Sequence, residues 1–186
     1  MGRPRAFDRD AALDKALHLF WERGYEQTSI SDLTRVLGIG APSLYAAFGD
    51  KRTLFDQAVA RYEADPRSVT AAGLHQRNQQ DVLRAMFERA TQEYTSKDHP
   101  HGCLVNSAPE LATNRAHNRE LTANRLREVA EDTESRDAAE ILADFAHVML
   151  VGLSAYAKDG ASQQQLQRVA EVALRAAEAG TNTKGG

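Results

Sequence analysis

Several features are scarce or missing, and each absence narrows the function. There is one cysteine, Cys103, among 186 residues, so no intramolecular disulfide framework exists. No apolar run reaches the ~18 residues that suggest a membrane span. The most apolar stretch, Phe145 to Ala157, is shorter and carries His147. The N-terminus lacks the apolar core of a signal peptide, so a cytoplasmic protein with no membrane partner is expected. His99, His101 and Cys103 crowd one short segment without a clear fourth ligand, so neither a metal nor another cofactor is expected. The same residues form the only conceivable nucleophile–base set, with no orienting third group, and a non-enzymatic chain follows. Excess positive charge is missing too. The net charge of −3 argues against a uniformly basic nucleic-acid binder. It leaves room for a local basic footprint, and Arg3, Arg5 and Arg9 face only Asp8 at the start of the chain.

What is present is helical periodicity, with no convincing strand pairs, and the fold class is all-α. Ala12, Leu13, Ala16, Leu17, Phe20 and Trp21 recur at three- and four-residue steps and predict a helix over Arg9 to Arg23. Gly24 stops it. Thr28 or Ser29 caps a second helix, with Ile30, Leu33, Val36 and Leu37 inward and Gly38 at its end. A third covers Pro42 to Phe48, and Asp50 caps a fourth carrying Leu54, Phe55, Ala58, Val59 and Tyr62. Beyond Asp65-Pro66, residues up to Gln80 read as a ragged helix end or a loop. Helical pattern resumes at Asp81. A loop with Pro100 and Gly102 follows, then a short apolar segment, Cys103 to Leu111, and a polar helix from Asn114 to Glu134. Two apolar helices, Asp137 to Lys158 and Ser162 to Ala179, close the chain.

Two helices joined by a Gly-containing turn of about four residues form a helix-turn-helix unit, and Ser29 to Phe48 supplies that pattern. Ile39 fills the space between the helices. Leu44 and Phe48, four apart, face inward, leaving Pro42, Ser43, Tyr45, Ala46 and Ala47 outward. Gly38 to Gly49 contains no Arg, Lys, Asn or Gln, the usual bidentate readers of base edges. The flanks are better suited to phosphate. Arg3 and Arg5 form a basic arm fit for phosphate or minor-groove contact. Thr28 lies at a helix start, where hydroxyl and N–H groups hold anions. Lys51 opens the fourth helix, where a cation opposes the helix dipole. It is either a phosphate contact or a solvated surface charge.

The stretch Gly24 to Val59 resembles the DNA-binding domain of the TetR family of bacterial transcriptional regulators. Phe20, Gly24, Tyr25, Thr28, Ile30, Leu33, Gly38, Leu44, Tyr45, Phe48, Lys51, Leu54 and Phe55 carry the likeness, which spans Phe7 to about Tyr62. The resemblance implies a helix-turn-helix DNA-binding domain over residues 1–50 and a helical ligand-binding and dimerisation domain over 51–180; the polar, glycine-ended tail over 181–186 reads as disordered. It implies a homodimer on a palindromic double-stranded DNA operator, usually a repressor released by a small-molecule effector. Carried over by position, Thr28, Tyr45 and Lys51 would contact phosphates, while Ser43 with Pro42 and Ala46 would face the bases. Many members have Lys or Arg and then a small residue where this chain has Ala41 and Pro42, so a charge contact is missing here.

The second half is read by pattern alone. A helix that is apolar on nearly every side must be buried on nearly every side. For the last two helices this means a single-chain core or a dimer interface. The interface reading takes Leu142, Phe145, Met149, Leu153, Leu166, Val169, Ala173 and Leu174. Met86, Phe87, Tyr94, Cys103, Phe145, His147 and Met149 read equally as an effector pocket or an ordinary core. Cys103 opens a short helix beside two histidines, an environment that activates a thiol. The segment also resembles the Gly-Cys-Leu region of a TetR branch with redox- and electrophile-responsive regulators. Cys103 is therefore either a thiol switch or a small buried hydrophobe.

Overall fold

A computed structural model describes residues 7–182. They form helices only, with no strand among the described residues. The chain divides into two compact units, one ending at Asp65 and one starting at Pro66.

The first unit holds α1 (Arg9–Arg23), α2 (Ile30–Leu37), α3 (Ala41–Phe48) and α4 (Lys51–Glu63). Each start has a local cause. Asp8 accepts from the Asp10 and Ala11 amides, Ser29 and Asp32 form a reciprocal capping box, and Asp50 accepts from the Thr53 amide at 2.7 Å. The tight turn between α2 and α3 is possible because Gly38 takes a left-handed conformation, φ 70° and ψ 28°. The Gly38 and Ile39 amides then both donate to the Thr34 carbonyl.

The unit runs on to Asp65, past the domain boundary expected at residue 50, because α4 shares the core of α1. Phe20 and Phe55 meet edge to face at 5.1 Å, and Trp21 meets Tyr62 at 4.9 Å. Arg61 of α4 grips Asp14 of α1 with both Nε and Nη2. Leu33, Leu44, Phe48 and Leu54 are buried with them. Each such side chain contributes roughly 1.5–3 kcal/mol on burial, so the four helices hold together as one body.

The second unit holds α5 (Val69–Leu74), α6 (Gln79–Glu93), α7 (Leu104–Ser107), a 3-10 turn (Pro109–Leu111), α8 (Ala112–Glu128), α9 (Thr133–Lys158) and α10 (Gln163–Asn182). The ambiguous stretch after Pro66 contains α5, capped by Ser68 and packed on α6 and α8. The polar helix stops at Glu128, not Glu134, because Asp132 caps α9 by accepting from the Ser135 amide at 2.7 Å. This makes α9 26 residues long, with an 18-residue window of mean hydropathy 1.5. It is long and apolar enough to cross a membrane by length and composition, contrary to the reading of Phe145–Ala157 alone. Here it packs on α6, α7, α8 and α10. α10 continues through Asn182, two residues into the expected disordered tail, and residues 183–186 lie outside the described part.

Candidate nucleic-acid interface

α3 is short, and its inner face is spent on the core. Leu44 and Phe48 are buried, and Ile39 and Ala41 are half-buried beside them. The outer face presents Pro42, Ser43, Tyr45 and Ala46, all exposed, with Tyr45 at 49%. Ala47, expected to face outward, is half-buried, and its carbonyl accepts from Arg9 Nε at 3.4 Å. Gly40 caps α3 with no side-chain hydrogen bond, and its first turn holds no acidic residue. The positive end of this helix is therefore open to a negatively charged partner.

Thr28 does not belong to this surface. Its side chain is fully buried, and its hydroxyl donates to the Gly24 carbonyl at 2.7 Å. Its amide donates to Tyr25 O. Both groups expected to hold a phosphate are thus committed to closing the α1–α2 turn. Ser29 is the N-cap, and the Asp32 carboxylate occupies the helix start. Hydrogen bonds from Ser29, aided by Arg35 and Arg23, hold the Asp32 carboxyl below the usual carboxylate range. A phosphate there would meet a persistent negative charge.

Lys51 is half-exposed, with Nζ 4.2 Å from the centre of the Tyr25 ring. Arg9 is held by three groups of the same corner. It lies 4.9 Å from the Phe48 ring centre, and it donates to Ala47 O and to the Gln57 side chain. Gln57 Nε2 in turn donates to Phe48 O at 3.5 Å. Tyr25, Gln57 and the structural use of Arg9 were outside the sequence-based site. Tyr25 and Lys51 are 26 residues apart, and Arg9 and Gln57 are 48 apart, beyond any local pattern. Arg3 and Arg5 lie outside the described residues.

The second unit separates the residues expected to form one pocket. Met86, Phe87 and Tyr94 are interior, while Phe145, His147 and Met149 are half-buried. Phe145 still touches Phe87, with ring centres 6.3 Å apart. Phe145 and Met149 line an open groove of about 580 Å³ with Tyr156, Val169 and Val172. His147 instead lies among charged groups. Burial and the nearby Arg115 hold its pKa down, against the pull of Asp144.

Cys103 is 8% exposed. Its amide donates to Ser154 Oγ of α9 at 2.8 Å, and its carbonyl accepts from Ser107 Oγ at 2.6 Å. The Tyr94 hydroxyl hydrogen-bonds the Cys103 side chain and accepts from Asn106 Nδ2 at 3.3 Å. Burial, then the neighbouring Cys103, drives the Tyr94 pKa well above its ordinary value. Burial also lowers the pKa of Lys158, which senses Cys103. Gly102 permits the approach: φ is +80°, and a Cβ would lie 2.9 Å from Ser154 O. His99 is engaged by Glu93. Its Nε2 lies 3.0 Å from Glu93 Oε1. Burial works to lower its pKa, but the bonds to Glu93 and to the Pro100 carbonyl together raise it.

The expected interface residues also divide. Leu142, Leu153, Leu166, Ala173 and Leu174 are buried within one chain and belong to its core. A stripe facing α6 and α8 had to be distinguished from one facing away, and periodicity alone gives both. The outward apolar residues are Ile141 at 72% exposure, Val148 at 66% and Val172 at 58%, with Tyr156 and Val169 beside them.

The geometry of the first unit agrees with comparisons to known proteins. Residues 12–58 match the model for bacterial regulatory proteins of the tetR family. The chain is 34% identical to the HTH-type transcriptional repressor ComR of Escherichia coli K12, over 94% of this chain and 90% of ComR. It is 32% identical to the transcriptional repressor BdcR of the same strain, over 92% and 90%. Among solved structures it is similar to a cysteine mutant of the TetR family regulator CifR complexed with 26-bp double-strand operator DNA. That likeness has 36% identity and a TM-score of 0.82, covering 94% of this chain and 99% of CifR. The chain belongs to the TetR family of bacterial regulatory proteins, which are DNA-binding transcriptional regulators and not enzymes.

Proposed function

We propose that the protein is a cytoplasmic repressor that binds a palindromic operator as a homodimer and is released by a small molecule bound in its second unit. The exposed outer face of α3 carries the reading. Small groups at Pro42, Ser43 and Ala46 let the helix approach the major groove closely. Pro42 and Ala46 meet thymine methyl groups, and the Ser43 hydroxyl reaches a base edge. Tyr45 and Lys51 hold phosphates, and these contacts position without specifying. Arg3 and Arg5 add contact in the adjacent minor groove. The relatives named as repressors and the operator-bound CifR support this assignment.

Dimer symmetry matches paired half-sites. The support is the exposed aliphatic surface of α9 and α10, which a second copy would cover. Phe145, Met149 and Val169 of the expected interface remain available to it. The effector binds in the second unit and is expected to be largely apolar.

Operator binding measured over a range of salt concentrations tests the docking. Each of Tyr45→Ala and Lys51→Ala should weaken binding about tenfold. Lys51→Ala should also flatten the log–log salt slope by about 0.9 for each phosphate left without its ammonium. Unchanged binding in both variants overturns the docking.

A second reading makes Cys103 a thiol switch laid on the first. The Tyr94 hydroxyl bonded to the sulfur favours it, because such a donor stabilises a thiolate, and the Lys158 charge acts in the same direction. Burial of the sulfur slows attack by large reagents. Cys103→Ser that still releases operator after oxidant or electrophile treatment removes this reading.

A further inference from the structure

We infer that Tyr25 is a positioning residue for DNA binding, its ring holding the Lys51 ammonium ready for an operator phosphate. The inference rests on the proposed docking of the first unit. The ring itself is fixed. It stacks on Phe20 at 6.2 Å and tilts against Phe55 at 4.9 Å, and both partners are fully buried. Lys51 Nζ sits 4.2 Å from the ring centre. An ammonium within about 6 Å of an aromatic face is attracted by its quadrupole.

The contrast between two successive cations supports a purpose for this arrangement. Arg52 also approaches the Tyr25 ring, at 5.9 Å, but Asp56 pairs with it at 2.9 Å. Lys51 has no carboxylate within ion-pairing distance among the described residues. The neighbouring Asp50 carboxylate is spent on the Thr53 amide. Lys51 also occupies the first position of α4, where the helix dipole disfavours a cation. A carboxylate would relieve that cost and neutralise the charge, and a phosphate would then have to displace it. An aromatic face offsets the same cost and leaves the charge whole. It also restricts the long side chain beforehand, so less rotamer freedom is lost when phosphate binds.

A double-mutant cycle on the full chain tests this, with operator affinity and its salt slope as readouts. Tyr25→Leu should weaken binding about two- to fivefold per half-site, the size of an exposed cation–π contact. In the K51A background the same change should have no further effect. Y25F keeps a π face and should recover most of the loss. Trifluorophenylalanine at position 25 keeps the ring shape, drains its face of electron density, and should not. This pair keeps the test valid if Y25L unfolds, which circular dichroism reports. Equal weakening by Y25L in both backgrounds means that Tyr25 only packs the unit, and overturns the inference. So does trifluorophenylalanine binding as well as Y25F. If K51A changes neither affinity nor slope, Lys51 holds no phosphate and the inference falls; if Tyr45→Ala also leaves binding unchanged, the docking reading itself has failed.

Discussion

Outward apolar groups occur on α3 of the first unit and on α9 and α10 of the second, but they differ in kind. α3 exposes the small Pro42 and Ala46 beside the polar Ser43, with one large ring at Tyr45. α9 and α10 expose Ile141, Val148, Val169 and Val172. Small groups leave little apolar surface in water and let a helix approach a grooved polymer. Clustered branched aliphatics leave a patch whose burial is favourable at about 25 cal/mol per Å², and this suits another protein surface. Two similar-looking helical faces thus suit different partners, the first the proposed operator and the second the proposed second copy of the chain.

The largest effect that would break this contrast lies on the aliphatic face. Ile141→Asp combined with Val148→Asp should give monomers in sedimentation equilibrium. Operator affinity should fall about 100-fold or more, since two linked half-sites gain that much from joint binding. An intact dimer in the double variant would place the interface elsewhere.

A smaller effect distinguishes support from contact inside the first unit. Thr28→Val removes a buried hydroxyl bonded to Gly24 O. It should lower stability by about 1–2 kcal/mol in urea denaturation, while the operator salt slope stays at the wild-type value. A flatter slope would return Thr28 to the phosphate contacts.

The smallest effect concerns the polar seam between α8 and α9. Arg119 lies 2.6 Å from both Glu140 and Asp144, and Arg127 also meets Glu140. Arg127 and Arg119 hold the Glu140 carboxyl below its ordinary value of 4.5, and Arg119 lowers Asp144. A carboxylate with a depressed folded pKa adds stability that is complete above its unfolded pKa and is lost as pH falls through the folded one. Melting temperature should therefore fall as pH drops below 4.5, and less steeply in Arg119→Ala. The exposed side chains keep the effect modest and salt-sensitive. An identical acid profile in both proteins would show that the seam contributes nothing.

Legibility from sequence follows the range of the interactions. The α1 span, the Gly38 turn and the Asp50 cap depend on groups within about four residues of each other, and all are readable from sequence. The exposure of Tyr45 and the burial of Leu44 follow from period 3.6 on a short helix. Sequence misplaces Thr28 because a hydroxyl near a helix start serves equally as a cap, a phosphate ligand or a turn closure. Its bond to Gly24 decides among them. It misplaces Leu142 and Leu153 because α9 is packed on several sides, and hydrophobicity does not say which neighbour is its own chain.

By itself, then, the sequence determined the helical class, the helix-turn-helix and the family, since capping, turn chemistry and helical period are local. Only the tertiary structure decided that α4 belongs to the first unit, that Lys51 rests on Tyr25, and that Ile141 and Val148 face out while Leu142 and Leu153 face in. These outcomes depend on which surfaces, distant along the chain, exclude water from one another. That choice is made by packing the whole unit and not by any short stretch.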